Sequence, residues 1–283
     1  MKHNQYTLTA TSMRVRIAAP LLSACALAFS GVNCPPVHAA EFSARDVTAR
    51  LFQMEAGTVA DFHQRDLREL DLSGIDFKRA NLAGTKLFGT DLTRTNLAHT
   101  DLRGANLDRA VIIGANLNGA DLSGISMLRP TTSPNLDEVT LEPPSFKGAN
   151  MSGSKIFGRF RNVDFSGADL TKSSFAPTST TGFIENLWRA DLMSANLSAT
   201  ILENADLTYV MLRFADLRGA NLRGALLKRA DLAHADLTGA DLTGADVSNA
   251  DLDGATLTGA KGLSTVKGLA TAHNVPAAFG LVR

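Results

Sequence analysis

The sequence of 283 residues contains only two cysteines and carries no net charge. Both cysteines, Cys25 and Cys34, lie near the N-terminus, so the rest of the chain can form neither a disulfide nor a cysteine-ligated metal site. Lys and Arg together number 28, as do Asp and Glu. This balance argues against nucleic acid as a partner and against a strongly acidic surface.

The sequence also lacks the short motifs that carry common enzyme chemistry. It has no His-x-x-x-His pair, no phosphate-binding loop and no Gly-x-Ser-x-Gly nucleophile elbow. Asp is frequent, but it recurs at regular intervals and without the Gly-rich Asp motif of calcium β-rolls. We therefore expect no catalytic residue, no cofactor and no metal site, and we predict that the protein is not an enzyme.

Leucine at every fifth residue is the dominant feature of the sequence. From Leu187 to Leu257 every fifth position is Leu, except for Val247, and Ala stands two residues before most of them. A second array, from Leu67 to Met127, has an apolar residue at every step. A period of five fits neither a helix nor a strand. It is satisfied if the chain turns a corner every five residues, with the Leu and Ala side chains inward, so that four sides close a coil of about twenty residues.

The motif Ala-(Asp/Asn)-Leu-x-x, as in residues 235–239, resembles that of the pentapeptide-repeat family. The resemblance implies an all-β fold, a right-handed quadrilateral β-helix solenoid, and we expect short helical caps at its ends. Coils stacked at about 4.8 Å would make a rod of about nine coils and about 40 Å. Eight inward centres are predicted between the two arrays: Leu136, Leu141, Phe146, Met151, Ile156, Phe165, Leu170 and Phe175.

Breaks in the repeat divide the chain into segments. We predict an N-terminal cap helix within 40–63, because Ser43 and Asp46 fit a helix N-terminus. The other predicted segments are repeat coils at 64–129, an irregular insertion at 130–145, degenerate coils at 146–175, a loop at 176–186, coils at 187–260, and a C-terminal cap and tail at 261–283. The two interruptions are either recognition loops or insertions tolerated at corners.

Residues 1–39 have the character of a signal peptide. Three basic residues precede an apolar stretch, Ile17–Phe29, and Val37-His38-Ala39 fits a cleavage site. We expect removal after Ala39 and a periplasmic or secreted protein without a transmembrane segment, because the apolar stretch is too short to remain as an anchor. Two alternatives stay open. One is a lipoprotein anchored at Cys25, although the apolar stretch continues after that residue, and the other is an uncleaved cytoplasmic chain.

Outward residues spaced by twenty should stack on one side of the coils. This places Arg189, Tyr209 and Arg229 in one ladder beside Trp188 and Lys228. Because aromatic residues and Arg dominate protein interfaces, these five residues form the predicted protein-binding face. The alternative is a ladder whose members only satisfy one another.

Three functional hypotheses follow. The first is an exported, non-enzymatic scaffold that binds an unidentified protein, with an open oligomeric state. The second comes from the resemblance, since the family includes quinolone-resistance proteins that mimic DNA and bind gyrase. The leader and the weak charge of this chain depart from that pattern. The third, an enzyme, is disfavoured because a convex rod offers no convergent pocket.

Overall fold

The computed structural model describes residues 42–55, 57–133, 142–177 and 189–275. The chain divides into two units, Met1–His38 and Ala39–Arg283, and all described residues belong to the second. The predicted signal peptide with Cys25, the predicted centres Leu136 and Leu141, and Trp188 lie outside the described residues. No helix within the described ranges is long and apolar enough to cross a membrane.

Regular secondary structure is sparse in the described part of the chain. It consists of helix α1 (Ala44–Phe52), strands β1 (Ser126–Leu128) and β2 (Lys155–Phe157), which pair in parallel, and a 3₁₀ turn at Leu263–Thr265. Almost everything else is a succession of isolated parallel bridges. The fold is thus a solenoid in which single-residue parallel bridges join successive coils.

The bridges form four columns. In the first and last arrays they join residues twenty apart, as in Asp61↔Asn81 and Asp216↔Asp236, and a bridged residue recurs every five positions along the chain. Each turn of the solenoid therefore contains four repeats, as the period predicts. We name the columns after their first described residues: Asp61, Asp66, Asp71 and Asp76.

The backbone hydrogen bonds explain why the repeat has this composition. Four of five amide groups donate to main-chain carbonyls of the same or a neighbouring coil, and the fifth donates to the Asp or Asn side chain two residues earlier. In the repeat 216–220 the amides donate, in order, to Ala195 O (3.0 Å), Asp236 O (2.8 Å), Asp216 Oδ1 (3.0 Å), Thr238 O (2.9 Å) and Leu217 O (3.0 Å). The Asp or Asn side chain of the motif thus accepts a hydrogen bond from the one backbone amide that has no main-chain partner.

The inside of the solenoid is a single apolar column. The Leu or Phe at the centre of each repeat and the Ala two residues earlier are almost completely buried, as for Leu217 at 0% exposure and Ala215 at 1%. Burying one such Leu contributes about 1.5–3 kcal/mol. Two residues beyond each centre the backbone turns with positive φ, either at Gly (Gly219, 65°) or at another residue (Phe214, 58°). That turn changes the direction of the chain at the corner where the next side of the coil begins.

Helix α1 packs on the first coil. Ser43 Oγ accepts from Asp46 N (3.3 Å), while Asp46 Oδ2 accepts from Ser43 N (2.9 Å), which makes the predicted capping interaction reciprocal. The buried residues Val47 and Leu51 join the apolar column. The helix ends at Phe52, and the ladder begins at Asp61, ahead of the position 64 predicted for the first coil.

The first interruption leaves the column intact on both sides. Thr132 is still an inward residue, 5% exposed, and its hydroxyl donates to Arg159 O (2.6 Å). The ladder resumes at Ser145, which pairs with Asn116 across 29 residues. Phe160, absent from the predicted centres, is fully buried only four residues after Ile156, so the next coil has nineteen residues instead of twenty.

The second interruption changes the spacing of the bridged residues. Asp206 pairs with Ser174, not with a residue twenty positions earlier, and Phe175 N donates to Asp206 O (2.8 Å). Phe175 therefore holds the place in the column that the five-residue count gives to Leu187. Leu187 itself lies outside the described residues, so the predicted start of the last array stays a prediction.

Candidate binding face

Three residues of the predicted face are stacked in one ladder. The guanidinium carbon of Arg189 lies 5.8 Å from the ring centroid of Tyr209, and that of Arg229 lies 5.3 Å from it on the following coil. A guanidinium nitrogen of Arg229 also donates to the Tyr209 hydroxyl. Each exposed cation–π pair of this kind contributes about 0.5–1 kcal/mol. The ladder is therefore held partly by its own members.

The local backbone fixes this arrangement. Tyr209 and Arg229 occupy left-handed corner positions, with φ of 65° and 55°, and each follows a buried Leu by two residues. Tyr209 N donates to Lys228 O (2.9 Å) and Arg229 N donates to Ser248 O (2.9 Å). Both side chains consequently project from hydrogen-bonded corners on adjacent coils.

The other two predicted residues are placed differently. Lys228 Nζ lies 3.3 Å from Asp246 Oδ2 on the next coil. Burial opposes ionisation of Asp246, but hydrogen bonds from Ser248 and Lys228 outweigh it and lower the pKa of this carboxyl below its ordinary value. Trp188 falls outside the described residues, so its place on the face stays a prediction.

The ladder forms one wall of a shallow groove of about 440 Å³. The opposite wall contains Asp231, Asp251 and His273, which the sequence did not bring to this site. Asp251 and His273 are bridged across 22 residues, because the last coil is longer than the repeat. The Nε atom of Arg189 is buried and has no hydrogen-bond partner among the described residues. The groove thus places guanidinium groups and an aromatic ring beside carboxylates.

A ring of basic residues around the neighbouring coil is already paired. Arg213, Arg223 and Lys228 each reach an Asp eighteen residues ahead, at 3.5, 3.3 and 3.3 Å, and Arg218 lies 3.9 Å from Asp236 while also binding Asp216. The ring therefore ties one coil to the next instead of presenting unpaired charge. Among the described residues, no group of His, Cys, Asp and Glu is arranged to hold a metal ion.

The family model for pentapeptide repeats matches the chain in eight copies, over residues 60–94, 90–127, 186–224 and 220–259. No curated protein matches it. Solved structures similar to the chain include HetL from Nostoc sp. strain PCC 7120, a pentapeptide-repeat protein involved in heterocyst differentiation regulation. It is 25% identical, with 82% of this chain and 98% of HetL covered and a TM-score of 0.34.

Two further structures show lower identity. The pentapeptide-repeat protein Rfr23 of Cyanothece 51142 is 24% identical, with 54% of this chain and 90% of Rfr23 covered and a TM-score of 0.33. QnrB1, a plasmid-mediated fluoroquinolone resistance protein, is 17% identical, with 69% of this chain and 90% of QnrB1 covered and a TM-score of 0.39.

Proposed function

Because the chain belongs to the pentapeptide-repeat family, we propose that it is an exported, non-enzymatic scaffold that binds another protein. Its solenoid is right-handed and four-sided in this proposal, with α1 as the N-terminal cap and the 3₁₀ turn at Leu263–Thr265 within the C-terminal cap. Export through residues 1–39 delivers it to the periplasm or outside the cell. The handedness rests on the family, and export rests on the leader sequence.

The observation that carries the binding proposal is the Arg189–Tyr209–Arg229 ladder. Its side chains are large, are fixed by stacking, and line a shallow groove. A pre-ordered aromatic and guanidinium surface loses little entropy when a partner binds. Most other outward positions hold Asp, Asn, Ser, Thr or Gly, which rarely anchor an interface.

Crosslinking in the native envelope fraction tests this proposal. One variant carries Arg189→Ala, Tyr209→Ala and Arg229→Ala, and the matched control carries Lys172→Ala and Asn204→Ala at left-handed corners of the Asp61 column. After both variants are shown to melt like the wild type, we expect the crosslinked partner to disappear from the first and persist in the second. An unchanged set of partners in the ladder variant would exclude this face.

The intact mass of the protein from its native host tests export. We expect a mature chain that begins at Ala40. A chain that begins at Cys25 with added lipid mass would establish the lipoprotein alternative, and an intact leader would establish the cytoplasmic one.

The gyrase-binding alternative has weaker support, because it calls for a continuous acidic surface. Here Asp101 and Asp216 are each covered by an Arg two residues later, with closest atoms 2.6 Å apart. A DNA supercoiling assay separates the hypotheses. Inhibition of gyrase at stoichiometric concentration would favour the DNA mimic, and none is expected here.

A further inference from the structure

The four columns differ in charge, and one of them is basic. For each column we count the bridged residue and the two outward residues that follow each centre. Among the described residues, basic side chains outnumber acidic ones only on the Asp66 column. Its basic members are Arg68, Lys86, Arg109, Arg129, Lys155, Lys228, Arg229 and Lys267, and its acidic members are Asp66, Glu69, Asp108, Asp206 and Asp246. Arg189, which stacks on Tyr209, adds one more basic side chain beside the column.

Two cations in the middle of this column are exposed and have no ion pair with a described residue. Lys155 lies on β2, at the bridged position. Arg109 sits at a corner, where its guanidinium carbon lies 5.7 Å from the ring centroid of Phe88 and is held by that contact. Cations of this kind keep their charge available for a partner, in contrast to Lys228, which already meets Asp246.

An apolar groove of about 270 Å³ lies on the same column, beside Lys155. Its lining includes Leu128, Phe157, Ala176 and Pro177, all at positions where the repeat usually has a polar or small residue facing outward. Ser174 of this groove is bridged to Asp206 on the next coil, three residues before Tyr209. The apolar groove and the ladder groove are therefore consecutive along one side of the solenoid.

We propose that the Asp66 column, from Arg109 to Arg229, binds an extended acidic polypeptide segment that carries a large apolar side chain. This proposal rests on the proposed scaffold function and specifies the chemistry of its partner. The apolar side chain enters the Leu128–Phe157–Pro177 groove. Carboxylates of the segment meet Arg109 and Lys155 on one side and Arg189 and Arg229 on the other. Complementary charge of this kind sets the partner choice and speeds association.

The dimensions of the column suit such a segment. The stretch spans about five coil steps at about 4.8 Å, or about 24 Å, which an extended chain of about seven or eight residues covers. A uniform polyanion fits less well, because Asp206, Asp231 and Asp246 stand among the cations and the apolar groove would stay empty. A polypeptide can place a neutral or apolar residue opposite each of these carboxylates.

Selection from a displayed library of random peptides, about eight residues long, tests the proposal on the full-length protein. We expect the recovered peptides to contain more Asp and Glu than Lys and Arg, together with at least one large apolar residue. Their affinity should fall at least about tenfold in the variant Arg109→Glu with Lys155→Glu, and also in the wild type when salt rises from about 0.05 to 0.5 M.

The matched control reverses two exposed cations on the Asp61 column, Lys172→Glu with Lys261→Glu, and should leave the affinity unchanged. Recovery of neutral or basic peptides, recovery of none, or equal losses in both variants would overturn the proposal. Binding to vesicles rich in phosphatidylglycerol that depends on Lys155 and Arg109 would also overturn it, in favour of a lipid surface.

These outcomes are distinguishable from failure of the scaffold proposal. If crosslinking in the envelope depends on the ladder but the peptides are not acidic, only the chemistry assigned to the partner is wrong. If no crosslinked partner depends on the ladder, the scaffold proposal itself fails, whatever the library returns.

Discussion

The first array, residues 61–133, and the last, residues 189–260, have the same backbone ladder but different side chains around it. The position two residues before the centre is Thr in four consecutive repeats of the first array, where the buried hydroxyl of Thr95 donates to Leu92 O (2.6 Å). In the last array the equivalent residue is nearly always Ala, such as Ala215 on the same column. The inward position two residues before the centre thus accommodates a hydroxyl group if that group donates a hydrogen bond to a backbone carbonyl.

The outer surfaces also differ. A ring of Arg and Lys residues in the last array reaches the Asp of the following coil, as in Arg223–Asp241 at 3.3 Å. In the first array Phe88 occupies an outward position, and its ring contacts the Arg109 guanidinium instead of making a polar contact. The comparison teaches that the centre and its amide ladder dictate the fold, while the outward residues are free to differ and so to carry function.

Charge placed in the apolar column should have the largest effect. Leu217→Asp buries an unpaired carboxylate and should cost at least about 3 kcal/mol. Arg218→Asp should cost much less, since Arg218 is 60% exposed, although the new carboxylate would face Asp216 and Asp236. Thermal melts of both variants decide the matter, and equal losses would contradict the division into inward and outward positions.

Two glycines at equivalent corners of the Asp76 column, Gly119 in the first array and Gly239 in the last, provide a further comparison of the arrays. A Cβ at Gly119 would lie 2.6 Å from the His99 ring, whereas a Cβ at Gly239 would meet nothing within 4 Å, and both backbones are left-handed with φ of 64° and 70°. Gly239→Ala should cost about 1 kcal/mol from backbone strain alone. Gly119→Ala should cost about 2 kcal/mol, because the imidazole must also move.

Chemical denaturation measures both glycine variants, with His99→Ala combined with Gly119→Ala as the control. Without the ring, Gly119→Ala should fall to the cost of Gly239→Ala. If the two single variants lose the same stability, the imidazole does not pack over the neighbouring coil in solution.

Most of the fold could be predicted from the sequence because one rule is repeated many times. The inward Leu and Ala residues, such as Leu217 and Ala215, recur with the same period. The arrays and their coil of four repeats therefore follow from the spacing alone. Phe160 could not be placed, because the deletion of a single residue shifts the count without leaving any pattern of its own.

The candidate site was predictable to a similar degree. A spacing of twenty places Tyr209 and Arg229 on adjacent coils, whereas Arg189 follows the second interruption, outside that register, and still stacks on Tyr209. His273 could not be foreseen, because the final coil lengthens to 22 residues and carries no repeat. The apolar groove beside Lys155 was also missed, since it joins residues from both sides of the first interruption. That these surfaces bind a protein stays a prediction.

Loss of a buried hydroxyl in the first array should have a smaller effect than Gly119→Ala. Thr95→Val keeps the shape of the side chain and removes the hydrogen bond to Leu92 O, which should cost about 1 kcal/mol. Leu92 O still accepts from Thr95 N (3.1 Å), so this carbonyl keeps a hydrogen bond in the variant. Thr95→Ser, which keeps the hydroxyl, is the control in denaturant melts, and a Val variant as stable as the wild type would mean that the hydroxyl contributes nothing.

The smallest effect should be common to both arrays and should appear only in acid. Asp101 and Asp216 occupy equivalent bridged positions, and each accepts from an Arg two residues later, Arg103 or Arg218, through Nε and the terminal nitrogen. These hydrogen bonds, the largest cause, lower the pKa of both carboxyls below the ordinary value of 3.8. A depressed pKa in the folded state stabilises the protein above the unfolded pKa of about 3.9 and loses that contribution as pH falls through the folded value.

Stability of the wild type should therefore decline below about pH 4. Asp101→Asn and Asp216→Asn should each lower the melting temperature slightly at pH 7, since the amide keeps the acceptor for the backbone but not the charge. The difference from the wild type should shrink toward zero as pH falls through the folded pKa of the missing carboxyl. Melts from pH 7 to about pH 2 measure this. Equal effects in the two variants would show that the arrays share this contact energetically as well as geometrically, whereas an effect in only one would confine it to that array.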